Sequence, residues 1–211
     1  MDTLLNWSGG IDSTLVMYEY LKANPKTTLL VHHCHIRNYQ GRDEMEARAI
    51  ERIQAWFSAH GLTNYELIET VFDYGSLPSR IHDHELCAMW SGIIVRHVGV
   101  VRRYRGLRRV LIPFIDVEQH TFNRDGIWRE VFNAFVGNKT WSQRQGVQLE
   151  YPIIGLKKDR IIRRLPADLL ARTWWCRTPN GDQWCRECHA CRLVIPSLPI
   201  PEHHFALQKS D

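Results

Sequence analysis

The sequence predicts an α/β protein: a Rossmann-like parallel sheet with a small C-terminal metal-binding segment. Three observations carry that expectation. Short apolar runs alternate with longer helical stretches along most of the 211 residues, the pattern of βαβ units. Ser8-Gly9-Gly10 lies between an apolar run and a helix-like run, in the order strand, turn, helix. Four of the six cysteines crowd into one short stretch near the end of the chain.

The elements follow in order. Leu4-Leu5-Asn6-Trp7 reads as the first strand and Thr14 to Leu21 as the helix after it. Thr27 to Cys34 is a β-branched, apolar run and a second strand. Arg42 to His60 carries Met45, Ala49, Ile53 and Trp56 or Phe57 on one helical face, with Gly61 ending the helix. Asn64 to Phe72 alternates as a third strand, and Glu85 to Tyr104 reads as a long apolar helix. Val110 to Ile115 is a short buried strand interrupted by Pro113. Ile127 to Val136 is helical, Val147 to Ile154 a strand, and Lys158 to Leu165 a short helix stopped by Pro166. Pro196 to Asp211 reads as a loosely packed tail. Residues 1–165 are thus expected to form the α/β domain and 166–211 the metal-binding segment and tail.

Composition narrows the class. Hydrophobic residues make up 44% of the chain, enough for a full core. No apolar run reaches the ~20 residues of a membrane span, and the first residues lack a signal-peptide pattern. The expectation is a cytoplasmic protein without membrane association. A net charge of +4 is compatible with nucleotides or nucleic acid and demands neither.

The loop Ser8-Gly9-Gly10-Ile11-Asp12-Ser13 is the strongest chemical signal. Glycines let the backbone turn sharply and approach a ligand. The following helix aims its unpaired amides and positive dipole end at the turn, which suits phosphate. Ser8, Ser13 and Thr14 add hydroxyls. Asp12 beside phosphate calls for a bridging cation, so Mg²⁺ is expected there. The competing reading is an ordinary turn with Asp12 or Ser13 as N-cap. The string lacks the Gly-Lys-Ser/Thr ending of a Walker loop and the spacing of the dinucleotide fingerprint. It does resemble the SGGxDS loop of the PP-loop ATP pyrophosphatases, which holds the pyrophosphate leaving ATP.

Cys176, Cys185, Cys188 and Cys191 form C-x8-C-x2-C-x2-C. Four thiolates complete a tetrahedral shell for Zn²⁺, and a closed shell implies a structural ion. An iron–sulfur cluster is the rival, and His189 is an alternative fourth ligand.

Loop and cluster together resemble the 7-cyano-7-deazaguanine synthase (QueC) family of queuosine biosynthesis. The cysteine spacing follows Trp174-Trp175-Cys176 as in that family. Pro152 to Lys158 is similar to its Pro-Leu-x-x-x-x-Lys segment, with Lys158 at the lysine position. Tyr39-Gln40-Gly41 and Glu44-Met45-Glu46-Ala47 echo a further segment. The middle departs from it: Ile81 to Cys87 stands where the family has Pro-Gly-Arg-Asn. Asp116 to Thr121 stands in place of its Asp-x-Ser-Gly-Tyr-Pro-Asp-Cys loop.

The resemblance implies a PP-loop (adenine nucleotide alpha hydrolase-like) fold, a structural zinc and ATP with Mg²⁺. It implies a cytoplasmic ligase that makes 7-cyano-7-deazaguanine from 7-carboxy-7-deazaguanine and ammonia through an acyl-adenylate, and a homodimer. Ser8, Gly9, Gly10, Asp12, Ser13 and Thr14 would bind ATP, with Asp12 and Lys158 catalytic and the four cysteines on zinc. His32 to Arg37 would wall the adenine. The altered middle motivates a second reading, a QueC-like paralogue that adenylates another substrate or modifies a protein or nucleic acid. PP-loop tRNA thiolases and an inactive nucleotide-binding module are further alternatives. Three other clusters read more simply. His82-Asp83-His84-Glu85 is a helix start, the arginines from Arg102 to Arg109 a solvated helix end, and His32-His33-His35 a strand end.

Overall fold

The structure is a computed structural model, and it describes residues 1–38, 40–75, 83–97, 106–115, 124–137 and 146–198. Strand β1 (Thr3–Asn6) lies at the centre, every residue of it buried. A strand covered on both faces needs a continuous apolar run, and Leu4 and Leu5 supply it by pointing to opposite sides. Around it stand β2 (Leu29–Arg37), β3 (Tyr65–Asp73), β4 (Arg109–Leu111) and β5 (Gln148–Glu150). They form one five-stranded sheet in the order β3-β2-β1-β4-β5, with each neighbouring pair parallel.

Helices cover both faces. On one side α1 (Ile11–Ala23) and α2 (Asp43–Ala59) bury Leu15, Met17, Ala49, Ile53 and Phe57 against Leu5, Leu29 and Val31. The same cluster takes in Ile161 of α5 (Lys158–Arg164), Leu169 of α6 (Ala167–Leu170), and Cys191 and Val194 of α7 (His189–Val194). The cysteine segment therefore shares its core with the sheet. On the other side α3 (Asp83–His97) and α4 (Arg124–Val136) pack Ala88, Val95, Trp128 and Phe132 over Leu4, Leu30 and Val110. Gly92 makes that pairing close: a Cβ there would meet the Phe132 carbonyl oxygen at 2.7 Å.

Several expectations shift. Strand β2 runs on to Arg37, so His32 and His33 sit in its middle rather than at its end. Strand β4 stops at Leu111, because Pro113 offers no N–H to a ladder. Strand β5 stops at Glu150, where Tyr151 and Pro152 enter a turn closed by the Ile154 amide on the Tyr151 carbonyl. Helix α1 starts at Ile11 with Gly10 as its N-cap, so neither Asp12 nor Ser13 caps it. Helix α2 keeps its expected apolar face, and Gly61 ends it at φ +71. The 3₁₀ turn Ile195–Ser197 and Leu198 pack on the core, so the tail begins later than expected. The segments 98–105 and 116–121, and the tail beyond 198, lie outside the described residues. No described helix is long and apolar enough to cross a membrane.

Candidate functional site

The strand order reverses between β1 and β4, the place where doubly wound sheets leave a crevice beyond their carboxyl ends. The Ser8–Ser13 loop leaves β1 at that crevice. Gly9 takes φ +71, a conformation that disfavours side chains, and a Cβ on it would lie 3.1 Å from Ile50 of α2. Its carbonyl accepts the Trp174 amide at 3.0 Å. The Ser13 hydroxyl ties the turn together: it accepts the Ser8 amide at 3.2 Å and donates to the Gly10 carbonyl at 3.3 Å. Gly10 has no side chain to cap α1, so the first-turn amides face outward uncapped by it.

A cavity of about 370 Å³ opens over this loop. Ser8, Gly10, Asp12 and Ser13 line it, and so does Lys158, brought in by α5. Lys158 Nζ lies 2.6 Å from both Asp12 oxygens, and its side chain is only 10% exposed. The lysine, first residue of its helix, is thus an inward-facing cavity residue. Thr14 is placed differently. It is fully buried, and its hydroxyl accepts the Trp7 indole N–H at 3.1 Å, away from the cavity lining. Gly9 acts from behind, as the seat for α2 and Trp174.

A second charged group in the same cavity was not apparent from the sequence. Arg42, 4% exposed, pairs with Asp83 at 2.5 Å and approaches Glu46 at 3.5 Å. Arg177 meets the other Asp83 oxygen at 2.8 Å. Burial raises the Asp83 carboxyl, but the two arginines outweigh it and hold it well below the usual range. Burial dominates at Glu46 and pushes it up to about 7, against the pull of Arg42. A local signal for Glu46 existed: it stands on the buried stripe Ile50, Ile53, Phe57 of α2, where a charge needs a reason. Asp83 is a first-turn residue of α3, as the helix-start reading has it, and it is also an ion-pair partner across the cavity.

His32 and His33 of β2 are buried and neutral. His32 faces Asn6 Oδ1 at 3.1 Å and the Thr70 hydroxyl at 2.9 Å, and burial lowers it to about 4. His33 Nδ1 lies 2.9 Å from the Trp7 carbonyl, which assigns the ring proton to that nitrogen. Burial lowers His33 to about 3. Both line the cavity. Arg109 of the basic run is committed elsewhere, bidentate to Glu150 at 2.6 and 2.8 Å.

The sulfurs of Cys176, Cys185, Cys188 and Cys191 all lie within 4.8 Å of one another. A tetrahedral ion with Zn–S bonds of about 2.3 Å needs sulfurs about 3.8 Å apart. Backbone amides already point at the sulfurs: Cys185 N–H to Cys176 at 3.2 Å, Cys188 N–H to Cys185 at 3.3 Å, and Cys191 N–H to Cys188 at 3.5 Å. Such donors stabilise thiolate charge. The donor set fits a closed structural zinc site. A multi-iron cluster needs its sulfurs spread wider than a single ion does. His189 faces the cavity rather than completing the sulfur set. The centre also carries cavity wall, because Trp174, Trp175 and Arg177 flank Cys176 and His189 follows Cys188.

No protein-family model and no curated protein matches this sequence.

Proposed function

We propose that the chain is an ATP-dependent, carbon–nitrogen-bond-forming ligase of the PP-loop type, resembling 7-cyano-7-deazaguanine synthase. One observation carries the reading: the Ser8–Ser13 loop, Lys158 and the wall built on the cysteine centre meet in a single cavity at the strand-order reversal. A carboxylate oxygen attacks the α-phosphorus of ATP. The O–P bond to the β-phosphate breaks, and pyrophosphate leaves with the electron pair. Charge then grows on the leaving group, where the first-turn amides of α1 and the Ser8 hydroxyl offer donors, on a turn that Ser13 ties in place. Lys158 supplies positive charge beside them. Asp12 is the carboxylate suited to a Mg²⁺ that arrives with ATP, a contact that would release Lys158 toward phosphate. Ammonia displaces AMP from the acyl-adenylate, and a second activation with dehydration yields the nitrile.

The Arg42–Asp83–Arg177 group favours keeping a second reading, a paralogue acting on another acceptor. Its Asp83 stands in the Ile81–Cys87 segment, where the resemblance to the synthase family is weakest. One incubation separates the two: protein, ATP, Mg²⁺, ammonium and 7-carboxy-7-deazaguanine, followed by mass spectrometry. Nitrile and AMP are expected. AMP without nitrile points to the paralogue, and no carboxylate-dependent AMP overturns carboxylate activation.

A further inference from the structure

Three carboxylates line the cavity among the described residues: Asp12, Glu46 and Asp83. They are not equivalent. Asp12 is held on both oxygens by Lys158 at 2.6 Å. Asp83 is clamped by Arg42 at 2.5 Å and Arg177 at 2.8 Å. Among the described residues Glu46 has only a loose ion-pair contact, Arg42 Nη1 at 3.5 Å, although its side chain is just 10% exposed. It rises from the turn of α2 that seats Gly9, whose own Cβ position is 3.4 Å from the Glu46 carbonyl. A carboxylate buried beside the loop, with little to hold its oxygens, is placed to take a proton.

We propose that Glu46 is the proton acceptor for a nitrogen nucleophile that attacks the activated carboxylate. The assignment rests on the ATP-activation reading above and adds the group that prepares the second substrate. Ammonium, or a primary ammonium, enters the cavity and gives one proton to the Glu46 carboxylate. The neutral nitrogen attacks the acyl carbon of the adenylate. The C–N bond forms, the C–O bond to AMP breaks, and AMP leaves with that electron pair. The second nitrogen proton goes to the departing phosphate or to water. Arg42, Asp83, Arg177 and Asp43 are the charged groups that act on Glu46. Its carboxyl is pushed up to about 7, so it can hold or release a proton near neutrality.

The test separates nucleophiles. Ammonia is mostly ammonium near pH 7 and needs a base, whereas hydroxylamine is already neutral there. E46Q should lower amide formation from ammonium by about 10²-fold or more. Carboxylate-dependent ATP–pyrophosphate exchange and hydroxamate formation should persist within a few-fold. Equal loss of all three in E46Q, or loss of none, overturns the Glu46 assignment alone. Absence of carboxylate-dependent exchange in the wild type overturns the ATP reading and the assignment with it. The wild-type protein gives a measurement that needs no variant. As pH rises above 7, partition of the adenylate toward amide should level off, because Glu46 is already mostly deprotonated, instead of rising with free ammonia. Partition that follows free ammonia alone overturns the proposal.

Discussion

Lys158 Nζ sits 2.6 Å from both carboxylate oxygens of Asp12, joining the start of α5 to the first turn of α1 across 146 residues. The pair is partly buried, with side-chain exposures of 10% and 24%, so water screens it incompletely. Two of the residues expected to act on ATP thus already hold each other at the mouth of the loop. Lys158→Ala should abolish carboxylate-dependent pyrophosphate exchange and cost about 1–2 kcal/mol of stability, between the values for exposed and buried pairs. Urea denaturation with a double-mutant cycle to Asp12→Ala measures the coupling. Additive losses would mean that the two residues do not stabilise each other.

Gly9→Ala tests the seat of the loop. The residue combines φ +71 with a Cβ position 3.1 Å from Ile50. The substitution should destabilise the protein by about 1–3 kcal/mol, strain and overpacking together. The Trp174 amide bond to the Gly9 carbonyl should loosen with it. Amide exchange at Trp174 would report that directly.

The cysteine centre should carry one zinc per chain, measured by elemental analysis of the purified protein. Cys191→Ser removes a fully buried ligand. It should lower the melting temperature and expose Trp174 and Trp175, which are 3% and 8% exposed in the fold. A red shift of tryptophan emission checks this. Retained zinc with unchanged emission would show that Cys191 is not a ligand.

Stability should depend on pH through groups of opposite sign. His32 and His33 have folded values lowered by burial to about 4 and about 3. The unfolded chain then binds more protons, so their contribution is complete above about 6.5 and is lost as pH falls toward those values. His33→Gln, which cannot titrate, should flatten the acid loss by up to a few kcal/mol. Glu46 runs the other way. Its folded value is raised from 4.5 to about 7, so the native state binds the extra proton and stability falls as pH rises through that window. E46Q should therefore gain relative to wild type between pH 5 and pH 8. Equal pH profiles for wild type and both variants would show that neither group is perturbed.

The sheet, the loop and the cysteine set were legible because each is written locally. Alternating apolar runs name strands, Ser8-Gly9-Gly10 names a turn before a helix, and C-x8-C-x2-C-x2-C brings its sulfurs together through short loops. The strand ends were less legible. Pro113 shortens β4, while β2 outlasts its apolar run because His35, Ile36 and Arg37 go on pairing with Val71, Phe72 and Asp73 of β3. Arg42, Asp83 and Arg177 were not legible as a group. Each alone is a charge near a helix end or after a cysteine, and periodicity does not say which charges will meet.

The sequence by itself determined the class of fold, a loop suited to phosphate and a four-thiolate centre, since these depend on neighbours within a few bonds or turns. Only the tertiary structure decided that Lys158 faces Asp12, that Thr14 turns into the core, that Trp174 docks on Gly9 and that Glu46 reaches the cavity. Those contacts join residues dozens to more than a hundred positions apart, or depend on which helix face meets the sheet. Their geometry is set by the β3-β2-β1-β4-β5 order, which carries the ends of α1, α2, α3 and α5 to one crevice. Burial there, rather than residue type, gives Glu46 its chemical character.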